Sequence, residues 1–167
     1  MSEEIFDIVD VDDQVIGRTT RSEVHARGLR HRAAHVLVYD RAGRLYLQRR
    51  AFSKECSPGL WDTSAAGHLN SGERYLAAAL RELEEELGLR AETLEPLFKI
   101  AASPATGQEF VWVYRHETAA EVRPDPTEII EGRWCEIEDL EVWIRREPEA
   151  FTGSFRLIWP RIRGRSV

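Results

Sequence analysis

Apolar and polar residues alternate along several short segments of the chain, a pattern typical of β-strands that bury one face. Residues 4–10 and 14–19 flank a turn at Asp12 and Asp13, which predicts a hairpin near the N-terminus. Five further segments have the same character, and they cover residues 33–40, 45–49, 93–102, 109–116 and 129–137. Strands in this number, interrupted by helical segments, predict an α/β layered domain.

Apolar residues three and four positions apart mark the predicted helices. The clearest case is residues 73–87, where one side of the helix carries Leu76, Leu80, Leu83 and Leu87. Two more helices are predicted, at residues 22–27 and 138–147.

The other segments carry weaker signals. Residues 56–67 contain a proline–glycine turn dipeptide and are predicted to form a loop, in which Trp61 packs into the core. Residues 155–159 are a last apolar segment that we do not assign to a helix or a strand. The basic residues 161–167 are predicted to fray.

Length and composition predict one soluble globular domain over residues 1–167, with 43% hydrophobic and 31% charged residues. The net charge of −6 argues against binding to duplex nucleic acid but allows a small phosphorylated ligand held through a metal ion. No apolar run is long enough to span a membrane, and the acidic N-terminus lacks a signal-peptide pattern. Two cysteines, Cys56 and Cys135, do not make a disulfide scaffold, which favours the reducing cytoplasm. The sequence leaves the oligomeric state open.

Three acidic residues share one side of the long predicted helix. Glu82, Glu85 and Glu86 are three or four positions apart or adjacent, so they lie together opposite the leucines. Their mutual repulsion destabilises a helix by about 0.2–0.5 kcal/mol per pair, and a cation would remove it. Magnesium binds carboxylate oxygens together with substrate phosphates, so these residues are candidate metal ligands. The alternative interpretation is a solvated, charged helix face.

The glutamates belong to a longer pattern, GX5EX7REUXEEXGU, in which U is aliphatic. All nine fixed positions are matched, and they are Gly67, Glu73, Arg81, Glu82, Leu83, Glu85, Glu86, Gly88 and Leu89. This stretch resembles the Nudix box, so the chain is identified as a member of the Nudix hydrolase superfamily. The resemblance implies a Nudix-type α/β/α sandwich with a mixed β-sheet, to which this chain adds the N-terminal hairpin. It also implies hydrolysis of a nucleoside diphosphate linked to another moiety.

The resemblance assigns roles position by position. Glu85 and Glu86 are implied as the main ligands of Mg²⁺ or Mn²⁺, and the main-chain carbonyl of Gly67 as a further ligand. Glu82 is implied as another ligand or as the base that polarises water, and Arg81 as the residue that orients it. Metal ions neutralise the charge of a diphosphate and lower the pKa of bound water, which explains why this chemistry needs clustered carboxylates.

A second resemblance covers roughly residues 7–89, with a weaker similarity through residue 138, and it is to type I isopentenyl-diphosphate isomerases in the same superfamily. Several positions match functional residues of those isomerases, and they are His25, His31 and His68 for a metal, Arg50 and Lys54 for the diphosphate, and Glu109 for proton transfer. The isomerases also use a cysteine two residues before the box-loop histidine, where this chain has Ala66. Because alanine cannot exchange a proton, the sequence favours hydrolysis over isomerisation.

The sequence therefore predicts a metal-dependent pyrophosphohydrolase with a small nucleotide as its substrate. Isopentenyl-diphosphate isomerisation and a non-catalytic nucleotide-binding module are the alternatives. Glu109 is the first candidate among acids outside the box, ahead of Glu128 and Glu131. The roles of the three histidines stay open between packing and contact with a metal or phosphate. The nucleotide base could stack on an aromatic residue, and the candidates are Phe52, Trp61, Phe110 and Trp112.

Overall fold

A computed structural model describes residues 2–164 of the chain. The β-strands in this region are β1 (Ile5–Val9), β2 (Val15–Thr20), β3 (His31–Tyr39), β4 (Leu45–Arg50), β5 (Trp61–Asp62), β6 (Ala65–His68), β7 (Glu95–Ile100), β8 (Glu109–Glu117) and β9 (Ile129–Cys135). The α-helices are α1 (Arg21–Arg27), α2 (Tyr75–Leu87), α3 (Ile137–Arg146) and α4 (Gly153–Arg163). No helix among these residues is both long and apolar enough to cross a lipid bilayer.

Seven strands form one sheet, in which β5, β4, β3, β8 and β7 lie side by side while β6 pairs with β3 and β9 pairs with β4. Strands β3 and β8 run parallel, with His31 aligned to Glu109 and Tyr39 aligned to Glu117. The other pairings described in this sheet are antiparallel. The sheet is therefore mixed, as predicted.

Helices cover both faces of the sheet. Successive side chains of a strand point to opposite faces, and β3 shows how this builds two cores. Ala34 and Val36 pack with the leucines of α2 on one face. Ala33 and Leu37 pack on the other face with apolar residues of α3 and α4. The result is the predicted α/β/α sandwich.

The N-terminal hairpin of β1 and β2 is a separate two-stranded sheet, also as predicted. Asp7 fastens it to the loop before α2, because its carboxylate accepts hydrogen bonds from Ser71 Oγ at 2.6 Å and from Gly72 N at 2.9 Å.

The turn of the hairpin is fastened by Asp13, which is buried and has a positive φ of 61°. Its carboxylate accepts hydrogen bonds from Arg32 Nε at 2.6 Å, from the Tyr75 hydroxyl at 2.7 Å and from Lys99. Burial opposes ionisation of Asp13, but the bonds from Lys99, Arg32 and Tyr75 outweigh it and hold its pKa below the usual value. One carboxylate thus joins the hairpin to β3, α2 and β7.

The helices differ from the prediction by more than one residue in two places. Helix α2 begins at Tyr75 rather than at residue 73, because Glu73 belongs to the preceding turn, where its carboxylate accepts the backbone N–H of Asn70 at 2.9 Å. The apolar segment left unassigned in the sequence lies in α4, with Thr152 as the N-cap. An interior proline, Pro160, weakens the sequence signal for this helix.

The segment predicted as one loop, residues 56–67, contains β5 and most of β6, which extends to His68. These strands are two and four residues long, too short to show a clear period in the sequence. Trp61 is buried, as predicted. The prediction of a frayed tail is wrong for Arg161–Arg163, which are helical, and residues 165–167 lie outside the described part of the chain.

Candidate active site

A cavity of about 590 Å³ opens where two central strands separate. Strands β3 and β4 pair only at Tyr39 and Leu45; towards the cavity, β3 pairs with β6 and β4 pairs with β5. Two groups of polar residues meet there. We call Glu82, Glu85 and Glu86 the acidic cluster, and His25, His31 and His68 the histidine cluster. His25 and His68 line the cavity, and His31 is buried behind them.

The acidic cluster reaches the cavity from α2, and its members differ in burial. The side chain of Glu85 is 59% exposed and that of Glu82 is 13% exposed, whereas the Glu86 residue is only 5% exposed. Burial, reinforced by the charge of Glu82, raises the pKa of Glu86 to about 8. Burial also raises the pKa of Glu82 to about 7, although Arg81 opposes this rise. Without a cation, this cluster therefore resists full ionisation at neutral pH.

Arg81 holds the acidic cluster in place from the same helix. Its guanidinium donates to Glu82 Oε1 at 2.6 Å and to Glu85 Oε2 at 3.2 Å. It also donates to Glu73 Oε1 at 2.8 Å and to the carbonyl of His68 at 3.1 Å. One side chain thereby joins the start of the box, the loop and the helix.

Gly67 approaches the acidic cluster too closely for any other residue. A Cβ atom placed on Gly67 would lie 2.0 Å from Glu82 Oε1, well inside van der Waals contact. On the far side of the cluster, Gln48 of β4 donates a hydrogen bond to Glu86. The backbone at Gly67 and the carboxylates of α2 are thus brought together as the box pattern predicted.

The histidine cluster is assembled from α1, β3 and β6. One ring nitrogen from each of its three residues lies within 4.8 Å of those of the others. The Nε2 atoms of His25 and His31 are buried and have no hydrogen-bond partner within residues 2–164. Phe6 of the hairpin covers the cluster, with its ring centroid 4.9 Å from that of His68 and 5.9 Å from that of His31.

Glu109 joins the histidine cluster from the start of β8. Its Oε1 lies 2.8 Å from His68 Nε2 and 3.5 Å from His31 Nε2. Burial opposes ionisation of Glu109, but the interactions with these two histidines outweigh it and hold its pKa well below the usual range. The structure therefore brings together four of the six residues that the second resemblance paired with isomerase functions, namely the three histidines and Glu109.

Both clusters have donor sets that fit a divalent cation. Buried carboxylates that repel one another gain from a hard cation such as Mg²⁺. The buried Nε2 atom of His25, which has no hydrogen-bond partner within residues 2–164, is available to a metal that accepts nitrogen ligands, and histidine is the commonest such ligand. The acidic cluster has the oxygen ligands that Mg²⁺ and Mn²⁺ prefer.

The two predicted phosphate-binding residues also line the cavity, and each already has an acidic partner. Arg50 lies 3.7 Å from Asp62 and donates to the carbonyl of Cys56 at 3.0 Å. Lys54 pairs with Glu128, and burial lowers the pKa of this lysine. These ion pairs keep the two cations at the cavity wall, where a phosphate would compete with the carboxylates for them.

The remaining acidic and aromatic candidates differ in whether they line the cavity. Glu128 lines the cavity through its pairing with a lysine, whereas Glu131 pairs with Arg133 and Arg49 on the strand surface. None of the aromatic residues proposed for base stacking is among the residues that line the cavity, and these are Phe52, Trp61, Phe110 and Trp112.

Sequence reasoning missed several residues of the cavity wall. His35 and Asp62 lie in it, and the N-terminus of α4 contributes Thr152 and Ser154. The local sequence around each of these residues indicates a packed segment or a loop. No local pattern therefore indicates that they line a site.

Comparisons with known proteins agree with this geometry. A family profile described as the NUDIX domain matches residues 29–153, which span most of the chain and include both clusters except His25. The chain belongs to the Nudix family. An uncharacterized Nudix hydrolase of Streptomyces coelicolor is 40% identical over 131 residues, which cover 77% of this chain and 72% of that protein. The chain is accordingly a Nudix hydrolase, an enzyme that acts on diphosphate linkages.

Similarity to isomerases within the superfamily extends further than the sequence motifs indicated. An isopentenyl-diphosphate Delta-isomerase of Serratia proteamaculans is 38% identical over 160 residues, or 93% of this Nudix chain and 89% of that protein. The crystal structure of DR0079 from Deinococcus radiodurans superposes with a TM-score of 0.84 at 29% identity, covering 95% of this chain and 98% of that chain. The similarity to the Serratia proteamaculans isomerase thus covers nearly the whole chain, beyond residues 7–89 and the weaker similarity through residue 138.

Proposed function

We propose that this Nudix hydrolase is a metal-dependent pyrophosphohydrolase that cleaves the diphosphate linkage of a nucleoside 5′-di- or triphosphate, or of a related nucleoside diphosphate derivative. One observation carries the proposal. The carboxylates of Glu82 and Glu86 face a cavity whose wall also carries Arg50 and Lys54. A diphosphate bridge is the ligand that needs both a metal-binding acidic wall and a basic wall.

The carbonyl of Gly67 and the carboxylates of Glu82, Glu85 and Glu86 would hold Mg²⁺ or Mn²⁺. The metal, when bound, neutralises phosphate charge and lowers the pKa of coordinated water. The fit rests on the burial of these carboxylates and their mutual repulsion: burial, reinforced by the charge of Glu82, raises the pKa of Glu86 to about 8 without a cation.

The protein's own residues would position the reaction. Arg81 fixes Glu82, which would act as a further metal ligand or as the base that polarises water. Glu109 is held as a carboxylate by the histidines beside it and is the second candidate base. Arg50 and Lys54 would exchange their acidic partners for phosphate oxygens and hold the leaving group.

We also propose that residues 1–167 act as one catalytic domain in the cytoplasm. Cys56 and Cys135 are both free thiols, and a reducing compartment keeps thiols in that state.

The test is a substrate panel. The protein is incubated with Mg²⁺ or Mn²⁺ and with nucleoside di- and triphosphates, dinucleoside polyphosphates and sugar nucleotides, and phosphate and pyrophosphate release are measured. Metal-dependent release from at least one nucleotide is expected. Binding without any turnover would instead identify a non-catalytic nucleotide-binding module.

A second candidate function is isopentenyl-diphosphate isomerisation. The histidine cluster with Glu109 favours it, as does the name of the Serratia proteamaculans relative. Ala66 opposes it, since its methyl group has no proton to exchange with an allylic carbon. Incubation with isopentenyl diphosphate, followed by analysis for the allylic isomer, separates the two functions, and we expect no isomer.

A further inference from the structure

One buried histidine of the cavity belongs to neither cluster. His35 lies in the middle of β3, and its side chain is only 5% exposed. Across the antiparallel pairing with β6 it faces Ala66, so both side chains lie on the same face of the sheet. This is the face that carries α3 and α4, opposite the one from which α2 supplies the acidic cluster.

The contacts of His35 define the state of its ring. Its Nδ1 lies 2.7 Å from Thr63 Oγ1 and 3.9 Å from Asp62 Oδ1. The Thr63 hydroxyl can donate to the carbonyl of Ala65, at 3.4 Å, and in that arrangement its oxygen accepts from His35 Nδ1. The proton is therefore on Nδ1, and Nε2 carries a lone pair. Burial lowers the pKa of His35, which keeps the ring neutral.

The lone pair on Nε2 is available to a ligand. Among residues 2–164, Nε2 of His35 has no hydrogen-bond partner, and yet it is not one of the ring nitrogens sealed from solvent. His35 lines the cavity together with Ala66 and Thr152. Because the Ala66 side chain is a single methyl group, it leaves space in front of the imidazole for a group of the ligand.

A neutral acceptor in this place selects the part of a nucleotide that it can contact. Phosphate oxygens are acceptors, so they gain nothing from Nε2 and bind at the basic wall and the metal. The donors of a nucleotide are the hydroxyl groups of the sugar and the N–H groups of the base.

We propose that His35 Nε2 accepts a hydrogen bond from a donor on the nucleoside half of the substrate and that this contact determines specificity. The inference rests on the proposed nucleotide pyrophosphohydrolase activity and deepens it. A site built around a hydrogen bond strongly rejects an analogue without the donor, because the buried acceptor is then left unpaired.

The experiment compares two variants on matched substrates. His35→Asn keeps a donor for Thr63 but removes the acceptor in the cavity, whereas His35→Gln places an amide oxygen near the position of Nε2. His116→Asn, on β8 and outside the cavity wall, is the control. We compare kcat/KM for ribonucleotides, for their 2′-deoxy and 3′-deoxy analogues, and for nucleotides of different bases. The deoxy analogues test whether the donor is a sugar hydroxyl, and the different bases test whether it is an N–H group of the base.

In the wild-type enzyme, the analogue that lacks the donor is expected to show a kcat/KM at least about tenfold lower. His35→Asn should lower kcat/KM for the full substrate to that of the analogue, leave the analogue unchanged and act mainly through KM. His35→Gln and His116→Asn should keep the discrimination. If His35→Asn does not fold, as shown by thermal unfolding, Ala66→Leu tests the same contact by filling the space before the ring.

Two results would overturn the inference. An equal fall for all substrates would mean a structural or proton-transfer role, and unchanged discrimination would mean that no contact exists. If the wild-type enzyme hydrolyses no nucleotide at all, the proposed function fails and the inference fails with it. If it hydrolyses nucleotides and only the discrimination is unaffected, the inference alone is wrong.

Discussion

The acidic cluster and the histidine cluster share one cavity, but they are assembled in different ways. The acidic cluster comes from a single helix, so its geometry is a local consequence of helical spacing. The histidine cluster comes from a helix and two strands, and it exists only when β3, β6 and α1 are folded together. The spacing of the glutamates predicted the acidic cluster from the sequence. The histidine cluster was identified only through the similarity of its residues to functional positions of the isomerases.

The two clusters also differ in charge. The acidic cluster contains like charges, one of them almost fully buried, so it needs a cation to be stable when ionised. The histidine cluster has neutral or cationic rings beside one carboxylate, Glu109, so it is compensated without an ion. We therefore expect the stability of the ionised acidic cluster to depend on a bound metal ion, whereas the histidine cluster should be stable without one.

The largest expected effect comes from Glu86→Gln. The substitution removes a buried carboxylate from the acidic cluster but keeps an amide of the same shape. We expect kcat to fall about 100-fold or more, because a metal ligand is lost, while circular dichroism shows an intact fold.

Glu84→Gln is the matched control, since Glu84 is on the same helix but exposed and paired with Arg90. It should retain full activity. Near-normal turnover by Glu86→Gln at saturating Mg²⁺ would show that Glu86 is not a metal ligand. The expected difference in metal dependence between the two clusters would then be wrong.

The second effect is on stability in the presence of a chelator. The pKa of Glu86 is about 8 in the folded protein and 4.5 ordinarily, so the folded state holds this proton more tightly. Stability is therefore highest below about pH 4.5 and falls by about 5 kcal/mol as the pH rises from about 4.5 to about 8, because each unit of pKa shift corresponds to about 1.4 kcal/mol. Chemical unfolding of the metal-free protein across this range measures the fall.

Glu86→Gln should flatten this pH dependence and be more stable than the wild type at pH about 8. Saturating Mg²⁺ should also restore wild-type stability, because the cation binds the ionised carboxylates of the folded state. Glu84→Gln should retain the wild-type slope because it leaves Glu86 in place. A flat profile in the wild type would show that Glu86 ionises freely.

The smallest effect is expected from His25→Gln. The glutamine keeps a polar group in the histidine cluster, and the acidic cluster keeps its metal, so we expect kcat to fall by only about tenfold. Steady-state kinetics at saturating Mg²⁺ and metal analysis of the purified variant check this. A loss as large as that of Glu86→Gln would make the two clusters equal partners in the reaction.

The elements with strong periodicity were predicted well from the sequence. The strands β3 and β8 and the helix α2 have long runs of regular apolar spacing, and their predicted bounds lie within about two residues of the structure. The prediction failed where the local signal is weak. The short strands β5 and β6 form because β4 and β3 offer them partners, and such long-range pairing leaves no trace in a local pattern.

The same physical distinction applies to the cavity. The acidic residues were predicted from one helix, and the structure brings them together with Gly67, Arg50 and Lys54. The ion pairs of the two basic residues with Asp62 and Glu128 depend on loop geometry, so the sequence did not indicate them. His35 was missed because a polar residue within an apolar strand carries no spacing signal.

The first residues of the chain have a practical consequence for work on this enzyme. Phe6 packs against the histidine rings, and Asp7 holds the loop that leads into the box helix. A truncated protein that starts after Asp10 would lack both contacts and would expose the histidine cluster. Such a truncation, made to improve crystals, would therefore alter the active site itself.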